Sequence, residues 1–436
     1  MDFVPTLRFI VTSDVHIGST TADTAKHFTT AVNQVAAYAN DASRNGGYAG
    51  LDAVVIAGDI TNNGTLAEFQ AAKSVFDAAL PEGTQLVITT GNHDYGNGLV
   101  DGTRYTDVAI AEGFKKDFED TFGAASQDVV IGGYHFITVD SFGKSPDNSR
   151  YGHDYSEETV AWLSDTLEAA DTYLNKPIFV IQHIGNYETV VGTSADTYGS
   201  NSSVALSELE SRYSNLIVFS GHTHVAMNDE CSIYQEDYTA INAGGLAGAS
   251  YPTNGGNDKA IGLSDGVSKP YPRAVYVVEA DANGRVRVRM WHIQVTGGFF
   301  GQEWMIDSYQ KSEFVYTADR FDEADLFFAD DAKITVASTS DTAVSVSFLP
   351  VPAESLTARA YEVTITDSTG TVAQKYISNP YFTDSYREQA ITVAFDGLVA
   401  GTTYTVSVRA ANPLYNKDVT TEGTFFSAPL TLEFTK

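Results

Sequence analysis

The sequence predicts an α/β domain followed by an all-β sandwich. Three observations point there. Up to about residue 298, short β-branched apolar runs alternate with stretches of helical periodicity, the pattern of parallel βαβ units buried on both faces. Those runs end, one after another, in Asp, Asn or His. From about residue 331 helical periodicity stops, and apolar residues alternate with polar ones over several short segments, as in a half-buried sheet.

The elements follow in order. Residues 7–12 (LRFIVT) read as a buried strand ending in Ser13-Asp14. Residues 24–42 read as a helix with Phe28, Val32, Val35 and Ala39 on one face. Residues 53–57 (AVVIA) form a second strand ending in Gly58-Asp59, and a helix covers 65–80. Residues 86–90 (LVITT) deliver Gly91-Asn92-His93-Asp94. A helix near 108–122 and a strand at 135–139 follow. Ser156 reads as an N-cap with Glu157 and Glu158 in the first turn, where the helix dipole favours them. Strands at 177–181 and 216–219 deliver His183 and Gly221-His222-Thr223-His224, and strand-like stretches recur at 238–242, 274–280 and 286–293. The Gly-, Ser- and Tyr-rich stretches 186–203 and 244–272 read as long loops on the substrate side.

In the last hundred or so residues, Val344, Val346 and Phe348 alternate with polar residues, as do Tyr361, Val363 and Ile365, then Ile391, Val393 and Phe395, then Tyr404, Val406 and Val408. Short alternating strands of this kind predict a β-sandwich. Between the two parts lie Phe299, Phe300, Trp304, Phe314, Tyr316, Phe321, Phe327 and Phe328. Side chains like these gain about 1.5–3 kcal/mol each on burial. The expected division is therefore an α/β domain at 1–298, an apolar packed linker at 299–330 and a sandwich at 331–436.

Composition excludes several functions. No run approaches the ~20 apolar residues of a membrane-spanning helix. Lys and Arg total 26 against 56 Asp and Glu, a net charge of −30, and such a field repels long nucleic acids. A small anionic substrate needs local positive charge, which metal ions can supply. Cys231 is the one cysteine, so neither an intrachain disulfide nor a cysteine metal cluster can form. The acidity, the low lysine content and the 24 tyrosines lead us to expect a secreted or cell-surface protein. Met1 is followed within six residues by a strand, so a leader is expected to have been absent or removed.

Asp14, His16, Asp59, Asn92, His93, His183, His222 and His224 all lie just beyond strand ends. That is the ligand-binding edge of an α/β sheet. Carboxylate oxygens, imidazole nitrogens and amide oxygens suit Zn, Mn or Fe. In Asp14-x-His16 and His222-x-His224, alternate residues of an extended segment would point the same way. A glycine before Asp59 lets the backbone turn tightly beside an ion. A carboxylate can bridge two ions, and two ions about 3.5–4 Å apart can clamp both oxygens of an in-line phosphoryl displacement. Taken singly, Asp-x-His is common in loops and Gly-Asn-His-Asp could be a turn. Eight metal-type residues at one sheet edge are not a coincidence of that kind. The remaining histidines, His27, His135, His153 and His292, match no motif.

In order, DVH (14–16), GDITNNG (58–64), GNHD (91–94), QHI (182–184) and GHTH (221–224) resemble the motifs of the calcineurin-like metallophosphoesterase superfamily, over roughly residues 5–295. The resemblance implies a four-layer αββα sandwich and two divalent metal ions. Asp14, His16 and His224 would hold the first ion, and Asn92, His183 and His222 the second, with Asp59 bridging. His93 would be the general acid, with Asp94 as its orienting partner, and a hydroxide between the ions would be the nucleophile. The substrate would be a small phosphate ester, a phosphodiester more than a monoester. Purple acid phosphatases would have a metal-bound Tyr where Asn62 stands. GDITNNG and the segment 151–182 look more like the bacterial class III cyclic-nucleotide phosphodiesterase branch, which includes many secreted enzymes. Alternatives are a broad-specificity phosphatase or nucleotidase, and a non-catalytic scaffold or adhesion protein on the same fold. Arg104, His153, Tyr95 and Tyr187 are candidate substrate contacts, with Lys144, Arg150, Tyr198 and Tyr251 beside them. Residues 397–412 resemble the E–F region of fibronectin type III domains, with Tyr404 as the tyrosine-corner residue and Phe348 in place of the usual Trp. Such a domain would space the enzyme or contact a glycan or cell wall.

Overall fold

The structure, a computed structural model, describes residues 2–18, 23–144, 150–170, 176–193, 200–201, 204–248, 273–293, 297–379, 386–414 and 425–436. The main division into two compact units falls between Thr317 and Ala318. Apart from two-residue strands and single 3-10 turns, the first unit contains, in chain order, β1 (Pro5–Thr12), α1 (Thr24–Asn40), β2 (Ala53–Ile56), α2 (Leu66–Ala79), β3 (Gln85–Ile88), α3 (Val108–Phe122), β4 (Gln127–Ile131), β5 (Tyr134–Val139), α4 (Glu157–Ala170), β6 (Ile178–Gln182), α5 (Val204–Glu210), β7 (Leu216–Ser220), β8 (Ile233–Gln235), β9 (Thr239–Asn242), β10 (Ala274–Asp281), β11 (Val286–His292) and β12 (Gly298–Ile306).

They build two six-stranded sheets, β12-β11-β10-β1-β2-β3 and β8-β9-β7-β6-β5-β4. In the first, β1, β2 and β3 run parallel while β10 pairs antiparallel with β1. In the second, β5, β6, β7 and β9 run parallel. Alternation along β1 assigns the layers. Leu7, Phe9 and Val11 join Phe136, Phe179, Ile181 and Phe219 in a core between the sheets. Ile10 faces the other way, toward Phe28, Val32 and Val35 of α1 and Phe69 and Phe76 of α2. On the far side, α4 and α5 cover Val139, Val180 and Val218 with Leu163, Leu167, Leu206 and Leu209. The result is the four-layer αββα sandwich that the resemblance implied. Phe9 meets Phe136 and Phe179 edge-on at 5.0 and 4.9 Å, and each such buried ring contributes roughly 1.5–3 kcal/mol.

Helix starts follow local chemistry. Thr65 and Glu68 form a capping box on α2, and Ser156 Oγ accepts the Thr159 N–H at 3.1 Å at the head of α4. Among the described residues, no helix is long and apolar enough to cross a membrane. The 299–330 stretch opens inside β12, an edge strand whose Trp304 and Ile306 enter the inter-sheet core.

The second unit holds β13 (Thr335–Ser338), β14 (Val344–Phe348), β15 (Ala360–Asp367), β16 (Gly370–Ser378), β17 (Ile391–Phe395), β18 (Thr403–Ala411) and β19 (Leu430–Thr435). These form antiparallel sheets β13-β14-β17 and β16-β15-β18-β19. Their apolar faces share one core, from Val344, Val346 and Val393 on one side to Val363, Val406 and Val408 on the other. Phe348 is buried against Tyr361 at 5.2 Å, and the Val399 N–H donates to Tyr404 Oη at 2.9 Å.

Candidate metal centre

Five of the parallel strands deliver metal-type residues at their C-terminal ends. Asp14 and His16 follow β1, Asp59 follows β2, Asn92 and His93 follow β3, His183 follows β6, and His222 and His224 follow β7. Backbone bonds lace the first loops together: Asp14 N donates to Gly58 O at 3.1 Å and His16 N to Asp59 O at 3.0 Å. The second sheet is tied in by Leu246 N and Ala247 N, which donate to Ser13 O and Asp14 O, both at 2.9 Å.

The co-orientation of ligands two apart has a different origin from the one expected. Asp14, His16, His222 and His224 are not extended; their φ values are 52°, 49°, 66° and 51°, and Asp59 has 50°. Left-handed backbone at non-glycine residues is uncommon and strained. It turns alternate side chains inward over a tighter path than a strand allows. Glycine makes the approach possible: a Cβ on Gly58 would lie 2.7 Å from His183, and one on Gly221 2.6 Å from Asp14 Oδ2.

The side chains gather into three overlapping groups, Asp14–His16–His224, His16–Asp59–His93 and Asp59–His183–His222. His224 Nε2 lies 2.9 Å and His16 Nε2 3.7 Å from Asp14 Oδ1, and the two imidazole nitrogens are 3.4 Å apart. His183 Nε2 lies 3.0 Å from Asn92 Oδ1 and 3.3 Å from Asp59 Oδ2. Asp59 Oδ2 is also 3.7 Å from His16 Nε2, so one oxygen faces both groups. Its partner Oδ1 accepts the His93 N–H at 2.7 Å.

These atoms suit a cation. His183 Nδ1 donates to Ala57 O at 2.8 Å and His224 Nδ1 to Gly248 O at 2.9 Å. A carbonyl only accepts, so each ring holds its proton there and, when neutral, turns an Nε2 lone pair to the centre. Those lone pairs face carboxylate and amide oxygens that also bear lone pairs. Asp14 Oδ1 is buried and faces the Nε2 atoms of His224 and His16. Burial would raise Asp14, but the charge of His224 and bonds from both histidines hold its carboxyl well below the usual range. Burial likewise opposes the ionised form of Asp59, and His183 and His93 overcome it. The same attraction raises His183 and His224 to about 9 against their burial. Only a positive charge satisfies such a set, and a divalent ion does so without a proton.

The model of the family described as calcineurin-like phosphoesterase matches residues 7–226. The chain belongs to that family. Calcineurin-like phosphoesterases are phosphoric ester hydrolases that use divalent metals, and the His/Asp groups above are the candidate ligands. No curated protein matches the chain. Among solved structures, PhoD aligns over 71% of this chain and 71% of its own at 13% identity, with a TM-score of 0.45. A redesigned β-sandwich protein covers 24% of this chain and 88% of its own at 18% identity, with a TM-score of 0.17. The fn3 domain of human collagen α-1(XX) chain covers 25% and 81% at 22% identity, with a TM-score of 0.18. These likenesses are too slight to bear on function.

In this phosphoesterase the expected pairing of Asp94 with His93 is not what holds the imidazole. Asp94 instead accepts from Ile60 N, Thr61 N, Thr61 Oγ1 and Gly91 N at 2.8–3.1 Å, bracing the loops after β2 and β3. His93 Nδ1 donates to the Asn62 carbonyl at 2.7 Å, and its ring lies 4.6 Å from that of His16. The order of residues in GNHD could not reveal a backbone partner on another loop.

The expected substrate contacts divide. His153 is at the site: its ring lies 5.9 Å from that of His222, and its Nε2 is 3.1 Å from Asn97 Oδ1. Burial and the nearby charge of Arg150 lower it to about 4. Tyr95 cannot stack on a substrate, because it is fully buried with its hydroxyl on Asp140. Arg104 is exposed on a two-residue strand paired with Leu99–Val100. Tyr187 is 43% exposed, and Lys144 Nζ sits 4.9 Å over the Tyr151 ring. Tyr198 and Tyr251 lie outside the described residues. Asn97 was not anticipated. Its left-handed φ of 52° lets its Oδ1 accept from Asn92 Nδ2 at 3.1 Å, which leaves Asn92 Oδ1 toward His183. The Gly-Asn-Gly around it was the available signal.

Proposed function

We propose that the chain hydrolyses small phosphate esters, phosphodiesters in preference to monoesters, on two divalent ions. Asp14, His16 and His224 would hold one, Asn92, His183 and His222 the other, and Asp59 would serve both. The observation that carries this reading is Asp59 Oδ2, 3.7 Å from His16 Nε2 and 3.3 Å from His183 Nε2. Bound ions would polarise the phosphoryl oxygens, offset developing charge and make a water nucleophilic at neutral pH. The residues around them do the rest. The His93 backbone is pinned to Asp59 and its Nδ1–H to Asn62 O, so the ring's second proton, on Nε2, is the one it would give to the leaving oxygen. Arg150, whose charge lies near His153, would supply donors to the substrate. The GDITNNG block and Asn62 support the phosphodiesterase preference. We read the second unit as a fibronectin type III-like spacer, supported by its three-plus-four strands and the Tyr404 bond.

Reconstitution with Mn, Zn, Fe, Co or Ni should give close to two ions per chain by elemental analysis. The loaded enzyme should hydrolyse some member of a panel of bis-p-nitrophenyl phosphate, cyclic nucleotides, glycerophosphodiesters and p-nitrophenyl phosphate. His93→Ala should lose about 10²–10⁴-fold in kcat, less with p-nitrophenol as leaving group. A two-metal protein that turns over nothing in the panel, or equal losses across leaving groups, would defeat the reading.

A further inference from the structure

Beneath the loop that carries Asn92 and His93 lies a buried acid that the proposed chemistry does not use. Asp140 follows β5, in the other sheet, and its side chain is wholly buried. Thr90 Oγ1 and Tyr95 Oη both donate to Asp140 Oδ1, at 2.5 and 2.8 Å. Lys115 Nζ, from α3, lies 2.7 Å from Oδ2. The bonds continue on either side: Ser141 N donates to Thr90 Oγ1 at 3.1 Å and Thr89 Oγ1 to Val139 O at 2.8 Å. Thr90 and Tyr95 are the two residues that bracket Gly91-Asn92-His93-Asp94. One carboxylate oxygen of the second sheet thus grips both ends of a loop that belongs to the first.

Packing alone does not call for this arrangement. Tyr95 lies against Phe142 at 5.7 Å, a contact a phenylalanine would make equally well. A buried hydroxyl needs a partner, and a charged acceptor makes the stronger bond. Asn92 Oδ1 must meet His183 Nε2, at 3.0 Å, across the gap between the sheets. A tie from β5 to the 90–95 loop sets that distance.

We propose that Asp140 is a positioning residue for the catalytic loop: by holding Thr90 and Tyr95 it keeps Asn92 and His93 in place against His183. The kinetic part of this rests on the reading of His93 as the acid given above. The test uses the full-length, metal-loaded protein with Tyr95→Phe, Thr90→Val and Asp140→Asn. Tyr95→Phe keeps the ring, so it guards against Asp140→Asn failing to fold. Amide exchange across residues 91–97 should quicken several-fold in Tyr95→Phe while exchange in β6 and β7 stays unchanged. Misplacement by about 1 Å can cost ~10²-fold, so kcat on an alkyl phosphodiester should fall by up to that factor, KM moving little. The loss should shrink with p-nitrophenyl esters. In a His93→Ala background, Tyr95→Phe should add nothing. Unchanged exchange at 91–97, or losses that multiply with His93→Ala, would overturn the proposal. If His93→Ala alone leaves alkyl ester hydrolysis intact, the acid reading falls, and exchange at 91–97 then decides on Asp140 by itself.

Discussion

Five candidate ligands of the phosphoesterase unit stand at positive φ, whereas no described non-glycine residue of the C-terminal sandwich does. The sandwich is the ordinary case. Its strands alternate, its turns use glycines such as Gly397 and Gly401, and its core follows from side-chain period alone. The phosphoesterase unit places Asp14, His16, Asp59, His222 and His224 in conformations that cost on the order of 1–3 kcal/mol each. It tolerates them because parallel strands buried on both faces hold the loop ends on either side. Left-handed backbone is thus concentrated where the candidate ligands converge, and among the described residues of the sandwich it falls to glycines.

That contrast can be broken most sharply at Asp59. Asp59→Ala should lose both ions, read by elemental analysis, and with them hydrolysis of the whole panel. A variant that kept two ions and full turnover would show that Asp59 does not serve both groups.

A smaller effect is expected at Glu210, buried within the same unit, where Asn186 Nδ2 is bonded to its Oε2 and, at 2.6 Å, to Tyr238 Oη. Burial pushes Glu210 from 4.5 up to about 8. A raised acid is held neutral by the fold, so its contribution is fully present below about pH 4.5 and is lost as pH rises through about 8. Tm should fall further between pH 5 and pH 8.5 in the wild type than in Glu210→Gln. Equal falls would show that Glu210 titrates normally.

The least effect belongs to the sandwich. Tyr404→Phe removes the acceptor of the Val399 N–H and should cost about 1 kcal/mol in chemical denaturation. It should leave kcat unchanged, and a change in kcat would mean that the two units are not separable in function.

Much of this was legible in one chain of letters. The strands at 7–12, 53–57, 177–181 and 216–219 were readable because buried parallel strands are short, apolar and β-branched. The candidate ligands were readable because each stands at a strand end in a residue type that binds metal. Asp94 and Tyr95 were not. Their neighbours in sequence suggested a partner for His93 and a stacking ring, while the fold made one a brace between loops and buried the other. Arg8 is a further case: inside a run of apolar residues, its guanidinium is wholly buried, with Nε 2.7 Å from Glu279 Oε1 and further donors on backbone carbonyls of Asn45, Tyr48 and Gly50.

Sequence by itself determined the two fold classes, the strands that lead into the site and the set of metal-type side chains, because periodicity and residue type are local properties. Tertiary structure alone decided which atom each side chain meets: Asn62 O for His93, Asn97 for Asn92 and His153, Asp140 for Thr90 and Tyr95. Those partners lie on other loops and, for Asp140, in the other sheet. Only the register of strands far apart in the chain brings a particular donor within 3 Å or so of a particular acceptor, where a hydrogen bond forms.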